Sequence, residues 1–231
     1  FNMVLWVQSM IENLDVSEKE LKETVTIENE ETLIKLRKEN KPIILISAHY
    51  GNIEMMSYYF NKFLFPVYQV ARESNFNEID EFLIKAREAS GSKIVFKSGA
   101  LKTLVKAMMK NESVSLIIDQ NTNSKDGKEV EFLGKRAYQT SSSALLARKF
   151  GAYIVPIAVF NQDDYKYKIK VYEPIIPIKT DNEIEDLKHI SQLEANAISD
   201  IILEDKKQWF WPHKRFKSHY REIYEKNPNN K

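Results

Sequence analysis

Four short apolar runs, each followed at once by polar residues and separated by longer stretches, constrain the fold of this chain most. They are Ile43–Ile46 after Pro42, Val67–Ala71 after Pro66, Val114–Ile118 and Ile154–Phe160. Short, mostly apolar runs of this kind, rich in β-branched residues and bounded by turn signals, read as buried strands. Between them Ile79, Phe82, Leu83 and Ala86, and then Leu101, Leu104, Val105 and Met108, recur at i, i+3, i+4, i+7, the spacing of amphipathic helices. Strands alternating with helices predict an α/β fold with a mixed, largely parallel central sheet flanked by helices on both faces. Tyr165, Tyr167, Ile169 and Val171 alternate with lysines, which suits an edge strand, and Ile190, Leu193, Ala197, Ile198 and Ile201 mark a late helix. No repeat or long linker interrupts the 231 residues. We read one domain over 1–231, with a helical lead-in at 1–40, a catalytic core at 41–217 and a basic tail at 218–231.

Composition removes several chemistries. The six glycines are scattered and form no G-x-G, so neither a Rossmann fingerprint nor a P-loop is present. The absence of cysteine removes thiolate nucleophiles, disulfides and cysteine-held zinc together. A formal net charge of +1 argues against a nucleic-acid partner. The charges are nevertheless segregated. Glu12–Glu31 holds eight acidic and two basic residues, and Lys206–Lys231 the reverse. The basic end is interleaved with Trp209, Phe210, Trp211, Phe216 and Tyr220, a pattern that suits either a solvated helical face or an anionic headgroup at a lipid boundary. No stretch reaches the roughly 18 apolar residues of a spanning helix. The apolar opening Phe1–Val7 is read as the end of a removed N-terminal anchor, leaving a chain peripheral to a membrane surface.

In open α/β sheets ligands bind beyond the carboxyl ends of the strands. Three of the runs lead directly into polar segments: His49-Tyr50-Gly51-Asn52-Ile53-Glu54, Arg72-Glu73-Ser74-Asn75 and Asp119-Gln120-Asn121. If Gly51 makes a tight turn and Asn52 caps a helix, Glu54 lies in the first helical turn and can fold back towards His49. A carboxylate on one imidazole nitrogen fixes the tautomer and leaves the other nitrogen to take a proton from a substrate hydroxyl. Such a pair is a base without a protein nucleophile, so the nucleophile is the acceptor alcohol, and helix N–H groups or a cation would hold the oxyanion. His49 and Glu54 are not the i, i+4 pair of a helical zinc site, and the four histidines show no ligand spacing, so no metal or other cofactor is expected.

The segment His49-Tyr50-Gly51-Asn52-Ile53-Glu54 resembles the H-x4-[DE] signature of glycerolipid-type acyltransferases, in the form found in bacterial lipid A late acyltransferases. The resemblance continues in order through Arg72 with Asn75, Arg87 and Gly91, Asp119-Gln120, Phe132-x-Gly134-x-x-Ala137-x-x-Thr140, Ala147-Arg148, Gly151-Ala152 and Val155-Pro156. It closes on Gln208-Trp209-x-Trp211-x-His213-x-Arg215-Phe216-Lys217. It implies transfer of a fatty acyl chain from acyl carrier protein to a hydroxyl of a lipid A precursor, an anionic glycolipid, at the cytoplasmic face of the inner membrane. His49 would be the general base and Glu54 its partner, with Arg72, Asn75, Asp119 and Arg215 in substrate or oxyanion contact or organising the site. Two departures stand out: the N-terminal membrane helix usual in the family is not found within the sequence given and is expected to have preceded Phe1, and Glu73 replaces the usual proline after Arg72. The residues leave open another acceptor (a phospholipid, a glycosylated phosphoinositide or an aminoacyl lipid), a hydrolase that uses water, and a non-catalytic lipid-binding protein of the same fold.

Overall fold

The computed structural model describes residues 17–71, 81, 84–85, 87–88, 91–96 and 99–225. In chain order the strands are β1 (Val25–Glu28), β2 (Ile43–Ser47), β3 (Val67–Ala71), β4 (Lys93–Phe96), β5 (Ser113–Ile117), β6 (Gly127–Phe132), β7 (Lys135–Thr140), β8 (Tyr153–Asn161) and β9 (Tyr167–Val171). The helices are α1 (Glu18–Thr24), α2 (Glu30–Lys38), α3 (Ile53–Tyr59, continued by a π turn at Phe60–Leu64), α4 (Ala100–Met109), α5 (Ser142–Phe150) and α6 (Glu183–Glu204). Seven strands form one sheet in the order β1-β9-β8-β2-β5-β3-β4, and β6 and β7 form a separate hairpin. Among the described residues, only the β8–β9 pairing in the main sheet is antiparallel. The chain is therefore α/β with a mixed, mostly parallel sheet, as its run pattern predicts.

Every residue of β2 is buried, because both faces of the sheet are covered. Ile44 and Ile46 pack with Leu104, Met108, Leu146 and Ile198 on the side of α4, α5 and α6. Ile43 and Leu45 pack with Leu21, Leu33, Met55 and Phe60 on the side of α1, α2 and α3. A strand of this kind shows no alternation, which is why it stands out as a plain apolar run.

The expected edge strand is not at the edge. β9 is covered by β1, which pairs with it in parallel from Val25 opposite Tyr167 to Glu28 opposite Lys170. Two of the three lysines that suggest a solvated face are matched by acids: Lys168 meets Glu28 at 3.2 Å and Lys170 meets Glu204 at 2.9 Å. The described part of the acidic run forms the outer faces of α1 and α2, with Leu21 and Leu33 turned inward. The predicted helical residues Ile79, Phe82, Leu83 and Ala86 lie outside the described residues.

Candidate active site

β2 and β5 are neighbours, paired from Ile44 opposite Val114 to Ser47 opposite Ile117. The Ile118 N–H donates to the Ser47 carbonyl at 3.0 Å, so the pairing runs on past the strand ends and sets His49 against Asp119. The His49 backbone N–H donates to Asp119 Oδ2 at 3.0 Å, and His49 Nδ1 lies 2.8 Å from Asp119 Oδ1. A third donor, Trp209 Nε1, reaches Asp119 Oδ2 at 2.8 Å. With Nδ1–H given to the carboxylate, the neutral ring presents Nε2 as its acceptor. The side-chain nitrogen of Gln120 lies 3.4 Å from that atom.

Local chemistry explains the turn that presents His49. Gly51 has φ +56, and a Cβ there would lie 2.0 Å from the Val159 carbonyl oxygen, so no other residue fits. Asn52 caps α3 through its side-chain oxygen, which accepts from the Met55 N–H at 3.1 Å. A strap from the C-terminal region locks the turn from above: Gly51 N–H donates to Gln208 O at 3.0 Å and Phe210 N–H donates to His49 O at 2.9 Å.

Burial alone would depress the His49 imidazole, but the hydrogen bond and charge of Asp119 outweigh it, and His49 titrates above its ordinary 6.5. For Asp119 burial would favour the neutral acid. Its bonds to His49 and Trp209 and the charge of the imidazole win, holding it below the ordinary carboxylate value. Asp119 is 2% exposed whereas the His49 side chain is 29% exposed, so the carboxylate is sealed and the imidazole reaches solvent. His49 opens on a cavity of about 670 Å³, partly apolar, whose wall includes Glu54, Arg87, Gln120, Leu45, Ser57, Gln69, Leu104, Ser115 and Ile118.

Two of the expected roles change. Glu54 does lie in the first turn of α3, on the cavity wall, but it does not turn to His49. It accepts from Arg87 Nε at 3.0 Å and Nη2 at 2.5 Å, a bidentate pair that engages both of its oxygens. Arg215, expected to touch substrate, is fully buried. Its Nη1 donates to the carbonyls of Gln120 at 2.7 Å and Tyr138 at 2.6 Å, and its Nη2 to Gln139 Oε1 at 3.2 Å. The guanidinium lies 4.5 Å from the centre of the Phe132 ring, and burial lowers its pKa to about 10, so it stays cationic at neutral pH. Arg215 thus ties the loop after Asp119 to the β6–β7 hairpin. Arg72 and Asn75 lie outside the described residues.

The aromatic-basic segment also divides. Trp209 and Phe216 are buried against Phe132, whereas Trp211 is 53% exposed. His213 Nε2 accepts from the Asn121 N–H at 2.7 Å, a second clamp on the loop that carries Asp119. Sequence reasoning left Trp209 and Gln120 without roles beside the dyad; their places in the quoted motifs were the available signal. Among the described residues no helix is long and apolar enough to cross a membrane.

A family model described as bacterial lipid A biosynthesis acyltransferase matches residues 2–218. A comparison with curated proteins finds no match.

Proposed function

We propose, from the premise that this chain belongs to the bacterial lipid A biosynthesis acyltransferase family, that it moves a fatty acyl chain from acyl carrier protein to a hydroxyl of a lipid A precursor with His49 as general base. The family makes it an acyltransferase of lipid A biosynthesis. The observation that carries the finer assignment is the 2.8 Å contact of His49 Nδ1 with a sealed Asp119 while the imidazole faces the cavity. In the proposed step Nε2 takes the proton of the acceptor hydroxyl as its oxygen bonds to the thioester carbonyl carbon. The tetrahedral oxyanion collapses, the carbon–sulfur bond breaks, and the imidazolium returns its proton to the carrier's leaving thiolate. Asp119 positions the ring and stabilises the imidazolium. Arg87, held by Glu54 on the cavity wall, supplies a cation on the side where negative charge develops or where a phosphate of the acceptor lies. Action at the cytoplasmic face of the inner membrane belongs to the same proposal, supported by the exposed Trp211 beside Lys206, Lys207 and Lys214, a cationic and aromatic surface suited to anionic lipid.

The test is acylation by the purified chain given an acyl carrier protein thioester and a lipid A precursor, read by mass spectrometry. Transfer should occur, and His49→Ala should lower it by about 10²–10⁴-fold, the usual contribution of a general base. Full activity in that variant would refute the mechanism.

A further inference from the structure

Asp119 holds one nitrogen of the His49 ring, and its neighbour in the chain, Gln120, stands against the other. The main chain of Gln120 is clamped on both sides of one peptide bond. Its carbonyl accepts from Arg215 Nη1 at 2.7 Å, and the Asn121 N–H across the same bond donates to His213 Nε2 at 2.7 Å. On the other side Asp119 is held by three donors. The chain around Gln120 is therefore fixed, and its amide moves on its own side-chain torsions. Gln120 is exposed, lines the cavity and brings its side-chain nitrogen to 3.4 Å from His49 Nε2. Among the described residues no other hydrogen bond engages that side chain.

The protonation state of the ring decides what the amide can do. With Nδ1–H given to Asp119, Nε2 carries a lone pair, and the Gln120 N–H donates to it along a bond longer than the usual value of about 3 Å. That bond exists only with the neutral ring. Once Nε2 has taken a proton, both ring nitrogens are donors and the Gln120 N–H faces another N–H. In the proposed transfer the thioester carbonyl oxygen becomes an anion in the same step, two bonds from the hydroxyl oxygen whose proton went to Nε2. A new acceptor thus forms beside the amide as the old one is lost. The terminal torsion of glutamine is broad, so turning the amide from one to the other costs little. Helix α3 offers less to the oxyanion, because the N–H groups of Met55 and Met56 are taken by the side chain and the carbonyl of Asn52.

We infer that Gln120 is a catalytic residue whose side-chain N–H caps Nε2 in the resting site and donates to the thioester oxyanion while the ring is protonated. As the hydroxyl oxygen bonds to the carbonyl carbon, the carbonyl pair moves onto oxygen, the proton moves onto Nε2, and the amide leaves Nε2 for the anion. When the carbon–sulfur bond breaks, the pair returns to the carbonyl, Nε2 gives its proton to the thiolate, and the amide returns to Nε2. A donor engaged only in the transition state raises kcat and leaves substrate affinity alone.

This assignment rests on the proposed acyl transfer, and its test separates the two. Gln120→Met keeps the length of the side chain and removes its N–H; Gln120→Glu keeps its shape and puts an anion where the donor was. With the full chain, a carrier-protein thioester and a lipid A precursor, kcat on the alkaline plateau should fall by about 10²–10³-fold in Gln120→Met, with KM within about twofold of native. Gln120→Glu should fall at least as far, whereas a residue needed only for its shape would tolerate that change. Gln120→Met also loses a bond that favours the neutral ring, so the acid inflection of kcat/KM should move up by about half a pH unit. A variant that merely loosened His49 from Asp119 would move it down. Thermal melts establish that each variant is folded, and Gln120→Ala replaces one that is not. A kcat within about threefold of native in either variant, or a loss of kcat/KM carried by KM, would overturn the inference and leave the transferase standing. If the native chain transfers no acyl group, the transferase reading fails instead, and the contact is read by NMR titration of His49. The ring should then titrate higher in Gln120→Met than in the native chain, and equal midpoints would overturn the contact.

Discussion

Asp119 and Glu54 are both buried carboxylates, 2% and 8% exposed, the first behind His49 and the second on the wall of the cavity, yet they face different partners. Asp119 sits beyond a central strand, where a backbone N–H, an imidazole and an indole N–H converge on its two oxygens. Glu54 sits at the start of a helix and meets the fork of Arg87. The first arrangement couples a carboxylate to a group that gains and loses a proton near neutrality; the second couples one to a permanent cation. A buried carboxylate is therefore assigned by the donors turned towards it. Under the proposed mechanism that makes Asp119 the partner of the base and Glu54 a holder of charge.

Substitution should separate the two. Asp119→Asn keeps the shape but frees Nδ1 from its carboxylate and loses the stabilisation of the imidazolium. We expect acyl transfer to fall by about 10²–10⁴-fold with modest loss of stability. A drop under tenfold would put the two carboxylates on the same footing. Glu54→Gln removes two charge-assisted hydrogen bonds, so chemical denaturation should show a loss of about 2 kcal/mol, with KM rising more than kcat falls. The smallest effect belongs to Trp209→Phe, which keeps a ring against Phe132 and loses the N–H to Asp119. A cost of about 1 kcal/mol and a severalfold fall in kcat are expected, and an unchanged rate would reduce Trp209 to packing.

How much of this was legible depends on the range of the forces that set each feature. The central strands could be read from composition because burial on both faces leaves only apolar residues in Ile43–Ile46 and Ile154–Phe160. β1 could not, since Val25 and Ile27 are two apolar residues between charged helices and become a strand only where β9 lies waiting. The β6–β7 hairpin carried a weak signal: Val130, Phe132 and Ala137 turn inward and Leu133-Gly134 make the bend at φ 50 and 74. His49, Glu54 and Asp119 each stood out at a strand end or helix start. Their pairing did not, because H-x4-E places Glu54 near in sequence, whereas contact with Asp119 depends on the parallel register of β2 and β5. Arg215 reads as an anion ligand by residue type and becomes a clamp only when the hairpin carbonyls close around it.

The pH dependence of kcat/KM tests the pairing most directly. The proposed base, His49, must be neutral to act, and Asp119 raises its imidazole above the ordinary 6.5, so activity should fall with acid through an inflection above that value. Asp119→Asn removes what raises the pKa and leaves the burial that lowers it, so its acid limb should move below 6.5, on a much lower plateau. Glu54→Gln should leave the inflection where it is in the native chain. An inflection that moves in Glu54→Gln and stays put in Asp119→Asn would contradict the account.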